Sequence, residues 1–316
     1  MQNKIITAAI IGKPNAGKSS LLNLLIREKI SIVTHKVQTT RSMITGIVTI
    51  GDVQIILRDT PGIFSPNRRL EKAMVRMAWS CVSGVDLVML ILDSTHEMDE
   101  DTMDLLNTLQ KRAINPVFLL NKVDLPHNIC DSLEEKILAM FPQSQCLRIS
   151  AITGQGVHQT NYDVVNDANS AKPHQSLLDL LLANAHVGEW LYHEDEITNL
   201  DMRFLTQEIT REVLFFNVHH ELPYDLTVET ELWEEEVNDR DEHEVKINQV
   251  IFVTREGQKR IIIGQGGQMI KKIGSIARTQ IEALLGYKVH LFLFVKVRDW
   301  QNNPEFYRNI GLSFNE

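Results

Sequence analysis

Gly12-Lys13-Pro14-Asn15-Ala16-Gly17-Lys18-Ser19 lies between an apolar run, Ile5–Ile11, and a stretch with leucines at helical spacing, Ser19–Glu28. The octet fits G-x-x-x-x-G-K-[ST], and its place between a strand and a helix is what gives that pattern meaning. Glycines let the backbone curl so that successive N–H groups face one anion. The helix that starts at the end of the loop adds partial positive charge. Lys18 is then a point charge for the β and γ phosphates of a nucleotide. Ser19 offers its hydroxyl to Mg2+. The whole loop from Gly12 to Ser19 is expected to bind phosphate.

Outward from this loop the chain alternates strands and helices. Met43–Ile50 and Val53–Arg58 read as strands joined at Gly51-Asp52, a good tight-turn pair. Leu87–Leu92 and Pro116–Leu120 are continuous apolar runs, as strands buried on both faces should be. Between them Glu100–Arg112 carries Met103, Leu105, Leu106 and Leu109 at helical spacing, and Cys146–Ile149 gives one more strand. This alternation predicts an α/β domain with a mostly parallel sheet and helices on both faces. Val157–Gln175, rich in Asn, Asp, His and Ser, breaks the pattern and reads as a polar loop or insertion. Ser176–Trp190 then reads as the amphipathic helix that closes the domain.

The base is chosen further along. Asn121-Lys122-Val123-Asp124 follows the run Pro116–Leu120, at a strand's carboxyl end, where open α/β sheets bind ligands. The Asp124 carboxylate can accept from guanine N1–H and N2–H. Adenine lacks both donors and would leave the acid unpaired. Asn121 would brace the loop, the Lys122 stem would cover the base, and Ser150-Ala151 could add a backbone N–H to the guanine carbonyl. Asp59-Thr60-Pro61-Gly62 completes the set: Asp59 would hold Mg2+ through water, and the Gly62 N–H can sense a γ-phosphate. In Gln38-Thr39-Thr40-Arg41, Thr40 is the candidate switch threonine for Mg2+, with Thr39 equally suited by chemistry. Arg41, Arg58, Arg68 and Arg69 are read as solvated switch residues, with arginine-finger roles as the alternative.

The second half has a different grammar. Phe204–Phe215 reads as a helix, Leu226–Glu236 and Asn248–Arg255 as strands, Ile261–Ile263 as a further apolar run, Met269–Leu284 as a helix and His290–Val297 as a closing strand. Gly264-Gln265-Gly266-Gly267 is G-x-x-G, weak alone. Here Ile261–Ile263 lead in from an Arg255–Lys259 turn, and a helix with Lys271 and Lys272 leads out. That is the KH pattern, whose loop clamps a nucleic-acid backbone. Between Arg255 and Arg298 there are nine Lys or Arg residues but only Glu256 and Glu282 as acids. Glu229–Glu244 is acidic and reads as a solvated edge. The candidate RNA contacts are Gly264, Gln265, Gly266, Gly267, Lys259, Arg260, Lys271 and Lys272. His219, His220, His243 and Glu244 do not make a metal set.

The 316 residues predict two domains, and a net charge of −9 excludes a general polyanion binder, so any nucleic-acid site must be a local patch. The expected boundaries are 1–192 for the α/β domain, 193–202 for a linker, 203–300 for the KH domain and 301–316 for a tail. Cys81, Cys130 and Cys146 give neither a disulfide framework nor zinc spacing. Met1–Ile11 is too short for a signal peptide, and no run reaches the roughly 20 apolar residues of a spanning helix. The expectation is a cytoplasmic protein, with peripheral membrane contact left open.

The motifs in this order resemble the translation-factor-like GTPases, and GKPNAGKSS, QTTR and DTPG resemble the Era branch. The likeness extends to Glu221-Leu222-Pro223-Tyr224, the Arg255–Lys259 turn with its GQGG loop, and Val289–Val297. It implies a GTPase domain joined to a type II KH domain, binding GTP/GDP with Mg2+. It implies a partner in the 3′ end of small-subunit (16S) rRNA and a role in 30S subunit assembly and rRNA processing. Peripheral contact with the inner membrane belongs to the family too, and no stable oligomer is expected. Ile63 stands where Ras-like enzymes place a water-orienting glutamine, so unassisted hydrolysis is expected at about 10⁻⁴–10⁻² per second. Similar enzymes with asparagine at the Asn15 position can use K+ as a charge-neutralising helper. Lys18, Thr40, Gly62 and Asn15 form the expected catalytic group. The departures are the 157–175 insertion and the absence of a basic residue at Gln265-Gly266. The other reading is a nucleotide-gated adaptor for a protein or membrane, with the KH fold as scaffold. A P-loop kinase or ATPase fails on NKVD.

Overall fold

The computed structural model describes residues 2–34, 36, 39–158, 176–218, 222–237 and 241–314. The insertion lies outside them from 159 to 175, as do Gln38, His219, His220 and Glu221. The chain divides into two compact units: residues 1–31 with 40–199, and residues 32–39 with 200–315.

The first unit is a sheet in the order β2-β3-β1-β4-β5-β6, made of β1 (Lys4–Ile11), β2 (Ile44–Ile50), β3 (Val53–Asp59), β4 (Leu87–Asp93), β5 (Val117–Asn121) and β6 (Cys146–Ile149). All neighbours are parallel except β2 and β3, the hairpin that turns at Gly51. The helices are α1 (Lys18–Ile26), α2 (Arg69–Val82), α3 (Glu100–Lys111), α4 (Cys130–Met140) and α5 (Leu177–Ala183). One apolar cluster joins Ala78 and Val82 of α2, Leu105, Leu106 and Leu109 of α3, and Leu133 and Ile137 of α4 to Leu90, Leu92, Phe118 and Leu120 of the sheet. On Gly46 of β2, a Cβ would sit 2.1 Å from Ile26 Cδ1 and 2.8 Å from Leu22 Cδ1, so α1 lies tight against that strand.

Two expectations for this unit are corrected. The helix from Ser176 ends at Ala183 instead of Trp190. The Asn184 side chain donates to Leu180 O at 2.8 Å, and β7 (His186–Val187) pairs antiparallel with Lys4–Ile5. Trp190 continued the apolar rhythm, but its Nε1–H donates to Lys4 O at 3.1 Å, outside any helix. The linker stretch is fixed at its middle: Ile47 N–H donates to Ile197 O at 2.9 Å, and Thr198 Oγ1 to Thr45 O at 2.7 Å. Val157, the first residue of the insertion, accepts at its carbonyl from Leu178 N–H beyond it at 3.1 Å.

The second unit runs α6 (Met202–Asn217), β8 (Leu226–Val237), β9 (His243–Val253), α7 (Glu256–Ile263), α8 (Gln268–Leu285), β10 (Lys288–Val297) and α9 (Pro304–Asn309). Its sheet has the order β10-β9-β8, with β9 and β10 parallel and β8 and β9 antiparallel. Val213, Leu214 and Phe215 of α6 and Ile273 and Ala277 of α8 meet Val228, Ile251 and Val253 in the core. The Arg255–Lys259 turn and the Ile261–Ile263 run are corrected to one helix, α7. Gln258 Oε1 accepts from the N–H groups of Thr254 and Arg255 at 3.0 Å, capping the helix from within. The tail is packed: Trp300, Phe306 and Tyr307 are buried, with Trp300 and Phe306 edge to face at 4.7 Å.

Residues 32–39 belong to this second unit through α6. Arg211 is 2% exposed, is ion-paired with Glu208 and donates to Thr39 O at 2.5 Å. Glu212 Oε1 accepts from Val33 N–H at 2.9 Å, and the Lys36 ammonium bonds the Phe215 and Val218 carbonyls at the end of the helix.

Candidate functional site

The phosphate loop links β1 to α1 with Gly12, Asn15 and Gly17 at φ of 150°, 62° and 109°. On Gly12 a Cβ would stand 2.5 Å from Ile91 O, and on Gly17 2.1 Å from Asn121 Nδ2. Both glycines are therefore required by close neighbours as well as by backbone angle. Lys18 is buried beneath the loop, its ammonium on Gly12 O at 3.1 Å and Lys13 O at 2.8 Å. Burial pushes its pKa down to about 8, against the opposing pull of Asp59. A phosphate anion would reverse that shift.

Three oxygens expected around Mg2+ converge. Ser19 Oγ lies 2.7 Å from Asp59 Oδ2 and 2.9 Å from Thr40 Oγ1. The structure distinguishes the two threonines: Thr39 Oγ1 instead bonds Lys36 O at 2.7 Å and Thr34 Oγ1 at 2.8 Å. Burial raises the Asp59 pKa, against Lys18, Ser19 and Ser31. Among the described residues, Asp59 Oδ1 is buried with no hydrogen-bond partner. A buried carboxylate oxygen lacking a donor, beside two hydroxyls, is an all-oxygen set that fits a hard divalent cation. Thr60 Oγ1 donates to Ile10 O at 2.9 Å, which fixes the turn after β3. At Gly62 a Cβ would meet Pro14 Cγ at 2.7 Å, so the two loops touch. Ile63 N–H donates to Gly12 O at 3.0 Å while its side chain sinks into the core with Ile11 and Leu90. That side chain has no group with which to orient water.

On the base side, buried Asn121 joins two loops: Nδ2 donates to Ala16 O at 2.7 Å, and Oδ1 accepts from Ala151 N–H at 2.9 Å. The Ala151 N–H expected for a guanine carbonyl is thus already engaged, and Ser150 N–H goes to Gln155 O at 2.9 Å. A guanine would share the Ala151 donor with Asn121. Lys122 takes a left-handed φ of 73°, Val123 N–H donates to Ile149 O at 3.3 Å, and Asp124 is exposed. Three helpers were not foreseen. Asn23 Oδ1 accepts from Ile30 and Ser31 N–H at 3.1 and 2.9 Å, Ser31 Oγ reaches Asp59 Oδ2 at 3.2 Å, and Ser94 Oγ donates to Asn121 O at 2.6 Å. None belongs to a spaced motif.

In the second unit, Gly264, Gly266 and Gly267 have φ of 73°, 58° and 78°. A Cβ on Gly264 would strike Met269 Cβ at 2.7 Å, whereas on Gly266 or Gly267 it would meet nothing within 4 Å. The loop is braced at its base and open at its crest. Arg260, Gln265, Lys271 and Lys272 are exposed, Lys259 is half-buried, and Ile261 is 57% exposed beside the loop. Ile261 was read only as an apolar lead-in. On a helix, Ile262 takes the core and Ile261 is left outside.

Residues 7–122 match the family model described as "50S ribosome-binding GTPase", and 221–301 match "KH domain". "GTPase Era" of Rickettsia prowazekii is 50% identical over 306 residues, covering 96% of this chain and 97% of the relative. The chain belongs to the Era family of GTPases. "GTPase Era" of Brucella suis is 44% identical over 97% of the chain and 92% of its own length. The solved structure of an Era with MgGDPNP and nucleotides 1506–1542 of 16S ribosomal RNA superposes with a TM-score of 0.84 at 33% identity, covering 98% of this chain and 99% of that one. An Aquifex aeolicus Era variant bound to GDP and AlF4− gives 0.83 at 33% identity, with the same coverages. As an Era-family protein the chain is a GTPase, with guanine nucleotide and Mg2+ as its cofactors. No helix among the described residues is long and apolar enough to cross a membrane.

Proposed function

We propose that this GTPase binds the 3′-terminal segment of small-subunit (16S) rRNA in its KH domain and acts as a GTP-dependent factor in 30S subunit assembly and rRNA processing. The observation that carries the reading is the Gly264–Gly267 loop. Its crest is open to the close approach of a sugar–phosphate backbone, and Lys271 and Lys272 stand ready to neutralise phosphates. Ile261 offers an apolar surface for a base next to that clamp. One family description names the large subunit, but it covers only residues 7–122. The Era bound to 16S rRNA resembles this chain over both domains, which favours the small subunit.

At the nucleotide site, Gly12–Ser19 wraps the phosphates and Lys18 balances their charge. Ser19 and Thr40 would hold Mg2+, with Asp59 reaching it through water. Gly62 senses the γ-phosphate, and Asp124 reads guanine. Mg2+ supplies charge neutralisation when bound. Asn15, exposed in the phosphate loop, would help hold K+. With Ile63 in the core, hydrolysis is slow without a partner. Peripheral contact with an inner membrane is a further expectation from the family alone.

The test is binding of a labelled oligonucleotide matching the 3′ end of 16S rRNA at fixed salt, with GDP and then with a non-hydrolysable GTP analogue. Selective binding, stronger with the analogue and lost in Lys271→Glu/Lys272→Glu, supports the reading. Weak, unselective binding with either nucleotide refutes it.

A further inference from the structure

Two aspartates outside every nucleotide motif repeat one arrangement. Asp93 ends β4, and Asp99 caps α3 six residues later. Each uses one oxygen to fix itself. Asp93 Oδ1 accepts from Thr95 N–H at 3.0 Å and Thr95 Oγ1 at 2.6 Å. Asp99 Oδ1 accepts from Thr102 N–H at 3.0 Å and Thr102 Oγ1 at 2.7 Å. Each gives its second oxygen to a lysine of a nucleotide loop. Asp93 Oδ2 takes the ammonium of Lys122, in the base loop, and Asp99 Oδ2 takes that of Lys13, in the phosphate loop.

As supports of the fold these pairs are minor. The side chains are 24–57% exposed, and such ion pairs contribute little to folding. Their position is what matters. Lys122 holds a left-handed backbone angle that a lysine adopts only when its surroundings fix it. An untethered lysine also samples many rotamers. A carboxylate that is itself immobilised by a threonine selects one, and so keeps the Lys122 stem along the base site. The same device ties down Lys13 at the phosphate end. Lys13 holds Asp99 ionised, with a pKa down at about 2.

We infer that Asp93 and Asp99 are positioning residues: through Lys122 and Lys13, the β4–α3 segment tethers the base loop and the phosphate loop together and sets how fast guanine nucleotide leaves. This rests on the reading of those loops as the nucleotide site. Opening either loop for release must break a tether, so the effect falls on dissociation. The bond-breaking step uses neither lysine.

The test is displacement of fluorescent GDP from the full chain, followed by stopped flow, for Asp93→Asn, Asp99→Asn and the double variant. Single-turnover GTP hydrolysis and nucleotide-free melting are measured beside it. Each single variant should release GDP roughly two- to fivefold faster, and the double variant by about the product, as separate ion pairs of this exposure predict. Hydrolysis of bound GTP and melting should not change. Raising NaCl at fixed KCl should speed release more from the parent protein than from the double variant, because the parent has two more ion pairs to screen. Release within error of the parent, or release that rises only with loss of melting temperature, would overturn the inference. An Asp124→Asn control separates the two failures. If it loses GDP while the tether variants behave as the parent, only the tethers are wrong. If it keeps GDP, the site itself is wrong.

Discussion

Asn121→Ala should damage the nucleotide site more than any other change of a side chain that is kept away from the phosphates. Its amide spans the gap between two loops, donating to Ala16 O at 2.7 Å and accepting from Ala151 N–H at 2.9 Å, both in buried surroundings. Alanine leaves a buried carbonyl and a buried N–H without partners. At about 1–3 kcal/mol for each unsatisfied group, the loss is about 2–6 kcal/mol. Part appears in urea unfolding and part in GDP affinity, where even about 2 kcal/mol is roughly 30-fold. Asn121→Asp sharpens the test. It keeps the acceptor for Ala151 and sets a carboxylate oxygen against Ala16 O, so it should be at least as harmful. Unfolding free energy and GDP affinity are measured for both variants. If Asn121→Ala stayed within about 0.5 kcal/mol of the parent in both, the bridging role would be refuted. A benign Asn121→Asp would show that the amide nitrogen does not face Ala16.

The other expectations can be checked with ordinary assays. Asp124→Asn should move preference from GTP to xanthosine triphosphate in competition binding, and unchanged selectivity would remove Asp124 from the base site. Gly264→Ala should lower the stability of the KH domain and cut RNA binding at least tenfold, because its Cβ would strike Met269 at 2.7 Å with φ at 73°; Gly266→Ala, with open space around it, should disturb the fold far less while still weakening RNA binding, since its methyl group stands on the crest that the sugar–phosphate backbone must approach. Arg211→Ala should lower unfolding free energy by about 3–5 kcal/mol, since Glu208 would be left buried without its partner. Burial pushes the Cys146 thiol up to about 12, so it should resist alkylation at about pH 8, where an ordinary thiol reacts. Because the folded-state value is the higher one, any stability tied to this thiol is present below its unfolded pKa and fades as pH rises toward 12.

The chemistry of the first unit was legible because it is carried by short spaced motifs at strand ends. Glycines with forced angles, one lysine and one acid leave little freedom. Boundaries were harder. Trp190 and Val187 extend the apolar rhythm of α5, and nothing local says that Lys4–Ile5 leaves an edge for them to pair with. Ile261–Ile263 read only as an apolar run after a turn, because three β-branched residues carry no helical spacing, while the signal for a helix was a single glutamine, Gln258, folding back on Thr254 and Arg255. The choice between Thr39 and Thr40 could not be made from chemistry that both share. In the fold the two differ in where each hydroxyl points, Thr40 toward Ser19 and Thr39 toward Thr34 and Lys36.

Residues 32–39 lead directly into Thr40, yet their anchors are Arg211, Glu212 and the end of α6. A GTPase domain excised at Asn199 would retain every nucleotide motif and lose what holds the approach to Thr40, the threonine proposed for Mg2+. Such a fragment should still bind GDP, which needs no switch, and discriminate poorly between GDP and GTP. The cut that looks natural on the sequence is therefore not a cut between two self-sufficient parts. The first half supplies the chemistry, and the segment that leads into Thr40 is anchored in the second.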